Sequence, residues 1–108
     1  MKPQTIHTTD PDGRKVVGVL LSNRPLVAWL YLEDFERVAA QYPGNWSLVN
    51  ASKPTSYVRV KGQNDRSVYI ARLVANAPEG RAIIFYDSNT LNLRSRNLGF
   101  KSGSSSRV

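Results

Sequence analysis

The clearest chemistry in this sequence lies where aromatic and cationic side chains alternate with valines. Residues 57–61 alternate in this way, which predicts a β-strand with one apolar face, and residues 67–70 return as a second strand after a turn at 62–65. Aromatic rings among cations suit nucleic acid, because bases stack on the rings while phosphates pair with the charges. The same pattern is equally typical of the solvated face of an ordinary antiparallel sheet. The face carries Tyr57, Arg59, Lys61 and Tyr69.

The basic charge is concentrated in the second half of the chain. The sequence has 15 Lys and Arg against 8 Asp and Glu, a formal net charge of +7. Residues 1–50 hold five basic and five acidic residues, whereas residues 51–108 hold ten basic and three acidic ones. Such an asymmetry suggests a surface for a polyanion, most often nucleic acid. The alternative is a basic surface that serves solubility alone.

The composition excludes several classes of protein. The absence of cysteine excludes disulfides and thiolate zinc sites, and the single histidine, His7, lies in a polar N-terminal segment. Neither a G-x-S-x-G nucleophile motif nor a P-loop occurs. No apolar run approaches the roughly 20 residues that a membrane span needs. We expect a cytoplasmic protein that is not an enzyme and holds no metal or cofactor.

Hydrophobic periodicity predicts the elements of the first half. Residues 1–13 are polar and rich in turn formers, with a clear turn at 10–13. Apolar runs at 16–21 and 26–32 predict a β-hairpin. Apolar residues at helical spacing predict an α-helix over residues 33–42, and a short strand follows at 46–49.

The second half is predicted to contain a short helix at 72–76 and a strand at 82–86. Residues 87–89 are good helix caps, so a further helix is predicted over residues 90–98. The fold class is therefore α+β. We expect one domain over residues 1–100 and a disordered tail at 101–108.

Two segments of the second half resemble the HNH endonucleases of phages and mobile elements. Residues 69–80 read YIARLVANAPEG, and residues 89–98 read NTLNLRSRNL. The family typically has a strand, L-H-R-L, A-P-x-G and then V-D-H-I-N-G-N-x-L-D-N-R-x-x-N-L. Residues 32–36 and Trp46 are similar to its N-terminal half, so the resemblance covers about residues 25–100. It implies a small antiparallel sheet with a helix in the N-terminal half and a ββα unit over residues 69–98.

The resemblance also implies that the catalytic residues have been lost. HNH cleavage needs a divalent metal at the scissile phosphate and a neutral imidazole that accepts a proton from water. The family's first histidine falls on Ala71, and its D-H pair falls on Ile84 and Phe85. None of the three can do this chemistry, and Phe85 is expected to be buried instead. Asp87 with Asn89 or Asn92 offers oxygen ligands suited to magnesium, but no histidine accompanies them.

The resemblance implies that this chain keeps the family's structural residues and the arginines that contact phosphates. It implies that Asn97 braces the preceding loop through backbone hydrogen bonds, and that Leu91 and Leu98 pack the last helix. The arginines of this part would approach the nucleic-acid backbone. The alternative for them is structural ion pairing, with Asp87 and Glu79 as partners. The residues predicted to bind nucleic acid are Tyr57, Arg59, Lys61, Tyr69, Arg72, Arg94 and Arg96.

Two main functions stay open on the sequence alone. The first is a catalytically inactive HNH-fold protein of phage or mobile-element origin. It would bind duplex or single-stranded nucleic acid, DNA more than RNA, mainly through phosphates in the cytoplasm of a bacterial host. The second is a protein–protein inhibitor or regulator of a nucleic-acid enzyme. An active HNH endonuclease with a displaced site is the weakest alternative. No membrane partner is expected.

Overall fold

The computed structural model describes residues 3–52 and 55–101, and within them the chain forms eight strands and two α-helices. The α+β class is confirmed. Neither helix in this described part is long and apolar enough to cross a membrane. The tail predicted at 101–108 lies, apart from Lys101, outside the described residues. The elements are β1 (Thr5–Thr9), β2 (Lys15–Leu20), β3 (Val27–Tyr31), α1 (Leu32–Gln41), β4 (Trp46–Ser52), β5 (Thr55–Lys61), β6 (Ser67–Tyr69), α2 (Ile70–Ala75), β7 (Ile83–Phe85) and β8 (Leu98–Phe100).

The first sheet is an antiparallel meander in the order β1, β2, β3. The predicted hairpin of β2 and β3 is confirmed, with Val17 opposite Leu30 in the core. Gly18 lies opposite Trp29, and a Cβ at Gly18 would stand 2.7 Å from the indole ring, so only glycine fits there. Strand β1 was not predicted. Its side chains are mostly exposed, and its backbone pairing with β2 is what orders it.

Helix α1 joins the first sheet to the second. Its predicted apolar stripe is confirmed, since Val38 is buried and Phe35 packs against Trp46 with 5.8 Å between the ring centroids. Trp46 is itself fully buried at the start of β4. The two sheets and both helices therefore share one hydrophobic core.

Arg37 on α1 fixes the end of α2. Its guanidinium donates to the carbonyl oxygens of Leu73 (2.9 Å) and Val74 (3.2 Å) at the C-terminal end of α2, where carbonyls lack a full set of partners within the helix. It also pairs with Asp34 at 3.1 Å. Asn76 then ends α2 in the left-handed conformation, with φ of 52°. These bonds hold the two helices in a fixed relation.

The second sheet is antiparallel in the order β4, β5, β6, and the predicted alternation of β5 is confirmed. Val60 lies opposite Trp46 on one side and Val68 on the other, so this face closes the core. Arg59 lies opposite Ser47 and Tyr69 on the other face. The register therefore places the polar and aromatic residues of these strands together on the outside.

The helix predicted over residues 90–98 is wrong. This segment is a loop with a 3-10 turn at Ser95–Asn97, followed by β8, which pairs with β7. Part of the loop pairs in parallel beside β3. Trp29 donates from its N–H to the carbonyl of Leu91 (2.8 Å) and accepts from the N–H of Leu93 (2.6 Å). The ββα unit expected over residues 69–98 is thus replaced by the order α2, β7, loop, β8. Leu93 and Leu98 are buried in the core, and Leu91 is half-buried against it.

Candidate nucleic-acid interface

Four of the predicted binding residues share the outer face of the second sheet. Tyr57 and Tyr69 lie on neighbouring strands with 5.9 Å between their ring centroids, and Phe85 adds a third ring 6.1 Å from that of Tyr57. Arg59 and Lys61 follow Tyr57 on the same side of β5. Phe85, expected to be buried, is half-buried because it packs at the edge of this aromatic group.

Arg59 is held in place without losing its charge. Its Nε donates to the hydroxyl of Ser47 (3.0 Å), and its Nη1 donates to the hydroxyl of Ser67 (3.1 Å). Both partners are neutral, and no carboxylate among the described residues lies within 4.0 Å of it. A guanidinium oriented by hydroxyls keeps its full attraction for an anion, and charge-assisted bonds to phosphate are among the stronger hydrogen bonds.

A cleft of about 860 Å³ borders this face. It lies between the C-terminal end of α1, the turn from β5 to β6 and the outer side of α2. Its lining includes three cations, Lys61, Arg66 and Arg72, and two aromatic residues, Tyr42 and Tyr69, but no acidic residue. The cleft therefore combines positive charge with apolar surface.

The turn from β5 to β6 presents Arg66 to the cleft. Asn64 and Asp65 both have φ of 59°, and the N–H of Arg66 donates to the carbonyl of Gln63 (3.2 Å), which is the pattern of a type I′ hairpin turn. The N–H of Gly62 closes the turn on the Arg66 carbonyl at 2.7 Å. The Arg66 side chain makes no hydrogen bond or ion pair within the described residues. Sequence reasoning missed it, because a cation in a turn carries no periodic signal.

Arg72 lines the cleft from α2, but its guanidinium is partly engaged. It donates to the carbonyl of Pro78 (2.8 Å) and to that of Arg81. The sequence suggested Glu79 as a structural partner, and this is wrong, since the partners are backbone carbonyls of the same loop. Backbone carbonyls therefore orient Arg72, and no carboxylate among the described residues neutralises its charge.

Lys61 also borders a second, smaller cleft. This cleft has a volume of about 400 Å³ and includes Arg59, Ser47 and Asn45 in its lining. Lys61 lies 4.0 Å from Asp65 in an exposed contact that neutralises little of its charge. The two clefts and the face between them therefore form one continuous cationic surface, which we call the β5 surface.

Arg94 and Arg96 are not part of the β5 surface. Arg94 forms a two-pronged ion pair with Asp10, with its Nε 3.0 Å and its Nη2 2.9 Å from the carboxylate oxygens. Arg96 pairs loosely with Asp12 at 3.4 Å. Asp87, the partner suggested by the sequence, pairs with neither. Both arginines therefore tie the C-terminal loop to the turn between β1 and β2.

Asp87 lies instead at the centre of a network of amides. Its carboxylate accepts from the N–H of Asn89 and from the side-chain amides of Asn92 and Asn97, all at 2.8 Å. These bonds, with that from Asn92 the most important, hold the pKa of Asp87 below its usual value. Asn97 makes the backbone bonds predicted for it, to the N–H of Asp87 (3.0 Å) and the carbonyl of Asn92 (2.9 Å). Both carboxylate oxygens of Asp87 are thus occupied by donors, which leaves them poorly placed for a cation.

The positions matched to the HNH catalytic residues contain no group for catalysis. Ala71 is buried in α2, and Ile84 is half-buried in β7 beside Phe85. His7 lies exposed on β1, with its Nε2 3.4 Å from the hydroxyl of Thr5. In the part of the chain that the structure describes, no three residues of the types His, Cys, Asp and Glu are grouped to hold a metal ion.

Comparisons of this chain with protein-family models, with curated proteins and with solved structures found no match. The resemblance to HNH endonucleases therefore stays a prediction. The function has to be inferred from the geometry of the β5 surface.

Proposed function

We propose that this protein is a non-catalytic nucleic-acid-binding protein with an HNH-like ancestry in phages or mobile elements. The observation that carries the proposal is the β5 surface. Three of its cations, Arg59, Arg66 and Arg72, have no carboxylate partner among the described residues. Tyr69 lies opposite Arg59 in the sheet and lines the larger cleft together with Arg66 and Arg72. DNA in the bacterial cytoplasm is the proposed partner.

Binding of this kind depends mainly on phosphates. Each cation that neutralises a phosphate releases condensed counterions, so the affinity falls as the salt concentration rises, with a slope of about 0.9 per phosphate for duplex DNA. Arg59 is the strongest candidate for one such contact because its guanidinium is fixed by two hydroxyls. Sequence preference should be weak, since contacts to phosphates carry no sequence information.

The test is a titration of labelled duplex DNA with the protein and with the Arg59→Ala variant, between about 50 and 200 mM salt. The variant should bind more weakly and show a salt slope lower by about one. Lys15→Ala is the matched control, because Lys15 is an exposed cation on β2, away from the β5 surface. It should leave the slope unchanged.

Two results would contradict the proposal. Equal losses in both variants would mean that only net charge matters. Absence of binding to both duplex and single-stranded DNA at low salt would reject nucleic acid as the partner and favour a protein–protein regulator instead.

We also propose that the protein does not cut DNA. Ala71, Ile84 and Phe85 offer neither a metal ligand nor a base, so plasmid DNA should stay intact with magnesium or manganese. The measurement is plasmid conversion on a gel across the purification fractions. Cleavage that follows the protein and disappears with a chelator would show that a displaced catalytic site exists.

A further inference from the structure

We infer that the larger cleft of the β5 surface receives an unpaired nucleotide, and that the preferred partner is single-stranded nucleic acid. The inference rests on the proposed function and specifies the form of its ligand. It concerns the cleft between α1, the β5–β6 turn and α2, and not the sheet face alone.

The size and lining of the cleft fit a nucleotide. Its volume of about 860 Å³ lies within the range of roughly 300–1,000 Å³ that is typical of small-ligand sites. Lys61, Arg66 and Arg72 supply charge for a phosphate, and Tyr42 and Tyr69 supply ring surface for a base. A site for phosphate alone would not need the aromatic part.

The cleft is also formed before any ligand binds. Gly62 packs so closely that a Cβ there would lie 2.9 Å from a methyl of Val68 and 3.3 Å from the Tyr42 ring. The bonds from Arg37 to the end of α2 hold the opposite wall in place. A preformed cleft does not lose binding energy to rearrangement.

A continuous duplex cannot use such a cleft fully. Its bases are stacked and paired, so that only phosphates and groove edges are presented. A base enters a pocket only after it leaves the stack, and this step is easiest where the strand is already single. Stacking on aromatic side chains then adds affinity that hardly depends on sequence.

The test compares three labelled ligands of equal length by fluorescence anisotropy: oligo-dT, a duplex, and a single strand without bases. Oligo-dT should bind at least about tenfold more tightly than the duplex, and the strand without bases should lose most of that advantage. Arg66→Ala should weaken oligo-dT binding by about tenfold, the loss of one charge-assisted contact. Because the Arg66 side chain makes no hydrogen bond or ion pair with the described residues, the Arg66→Ala variant should have the same melting temperature as the unchanged protein. Lys15→Ala, with the same change in net charge, should have less than about a twofold effect.

The outcomes separate this inference from the function on which it rests. If the duplex binds as tightly as oligo-dT, the cleft does not select an unpaired nucleotide, while nucleic-acid binding stands. If the strand without bases binds as tightly as oligo-dT, only phosphates are contacted and the inference falls. If none of the three binds, both proposals fall together.

Discussion

Replacing Arg94 by alanine should destabilise the fold, because its guanidinium is one half of a mostly buried ion pair. The side chains of Arg94 and Asp10 are only 23% and 12% exposed, and two hydrogen bonds of 3.0 and 2.9 Å join them. Removing one partner of a fully buried pair costs about 3–5 kcal/mol, since the other charge stays buried and unpaired. Because this pair keeps some access to water, we expect a loss of about 2–3 kcal/mol.

Arg96 provides a matched control two residues away. Its ion pair with Asp12 is longer, at 3.4 Å, and the two side chains are 67% and 43% exposed. Such exposed pairs contribute about 0–1 kcal/mol. Arg96→Ala makes the same change in net charge on the same loop, so the difference between the two variants reports the burial of the Arg94 ion pair and the hydrogen bonds of its guanidinium, including that to Asn92.

Thermal melting measures this difference directly. For a chain of this size a loss of 2–3 kcal/mol should lower the melting temperature by roughly 10 °C or more, and Arg96→Ala by only a few degrees. The Asp10→Ala, Arg94→Ala double variant should be less destabilised than the sum of the two single variants, because no buried charge is left alone. Equal melting temperatures for Arg94→Ala and Arg96→Ala would refute this account.

The same variants separate scaffold from binding. If Arg94 serves only the fold, Arg94→Ala should bind nucleic acid with an unchanged salt slope at temperatures where it is folded. A slope lower by about one would place Arg94 in the interface after all.

Three further changes test local structure. Asp65→Gly should raise the free energy of unfolding by about 0.5–1 kcal/mol in urea denaturation, because glycine adopts φ of 59° without strain; a loss of stability would contradict the turn geometry. Gly18→Ala should cost about 1–3 kcal/mol in the same assay, because the added methyl meets the Trp29 ring; an unchanged midpoint would show that the ring moves freely. The pKa of Asp87 is lowered in the fold, so its contribution to stability is present above about pH 4 and is lost as the pH falls through the lower, folded value. Asp87→Asn should therefore flatten the acid side of the stability profile, and an unchanged profile would show that the amide network does not act on this carboxylate.

The elements that sequence analysis predicted correctly are those with a strong local period. One face of α1 and one face of β5 pack on the core, so the apolar residues of each element recur at a fixed spacing. Three or four such residues suffice to predict the helix or the strand. The alternation also predicted which side chains share the outer face of the second sheet. The cleft beside it was not predictable, because it depends on where three separate elements meet.

The wrong helix over residues 90–98 has a physical explanation. Asp87 and Asn89 are good caps, but their side chains bond backbone N–H groups two residues on, which equally favours turns. Of the leucines that suggested a helical side, Leu91 packs against the core from a turn and Leu98 reaches it from the start of β8. The loop segment 91–93 pairs with Trp29, which is distant in the sequence, so no local pattern of residues predicts the pairing.

This pairing also has a consequence for the order of folding. One edge of β3 is covered by β2, and the other is covered at Trp29 only by residues 91–93. Until that late segment docks, the N–H and C=O of Trp29 face outward as an open edge, to which strands of other chains can add. Contacts between residues so distant in sequence also form slowly. We therefore expect a fragment that stops before residue 91 to aggregate through β3, an edge that the docked loop covers at Trp29 in the folded protein.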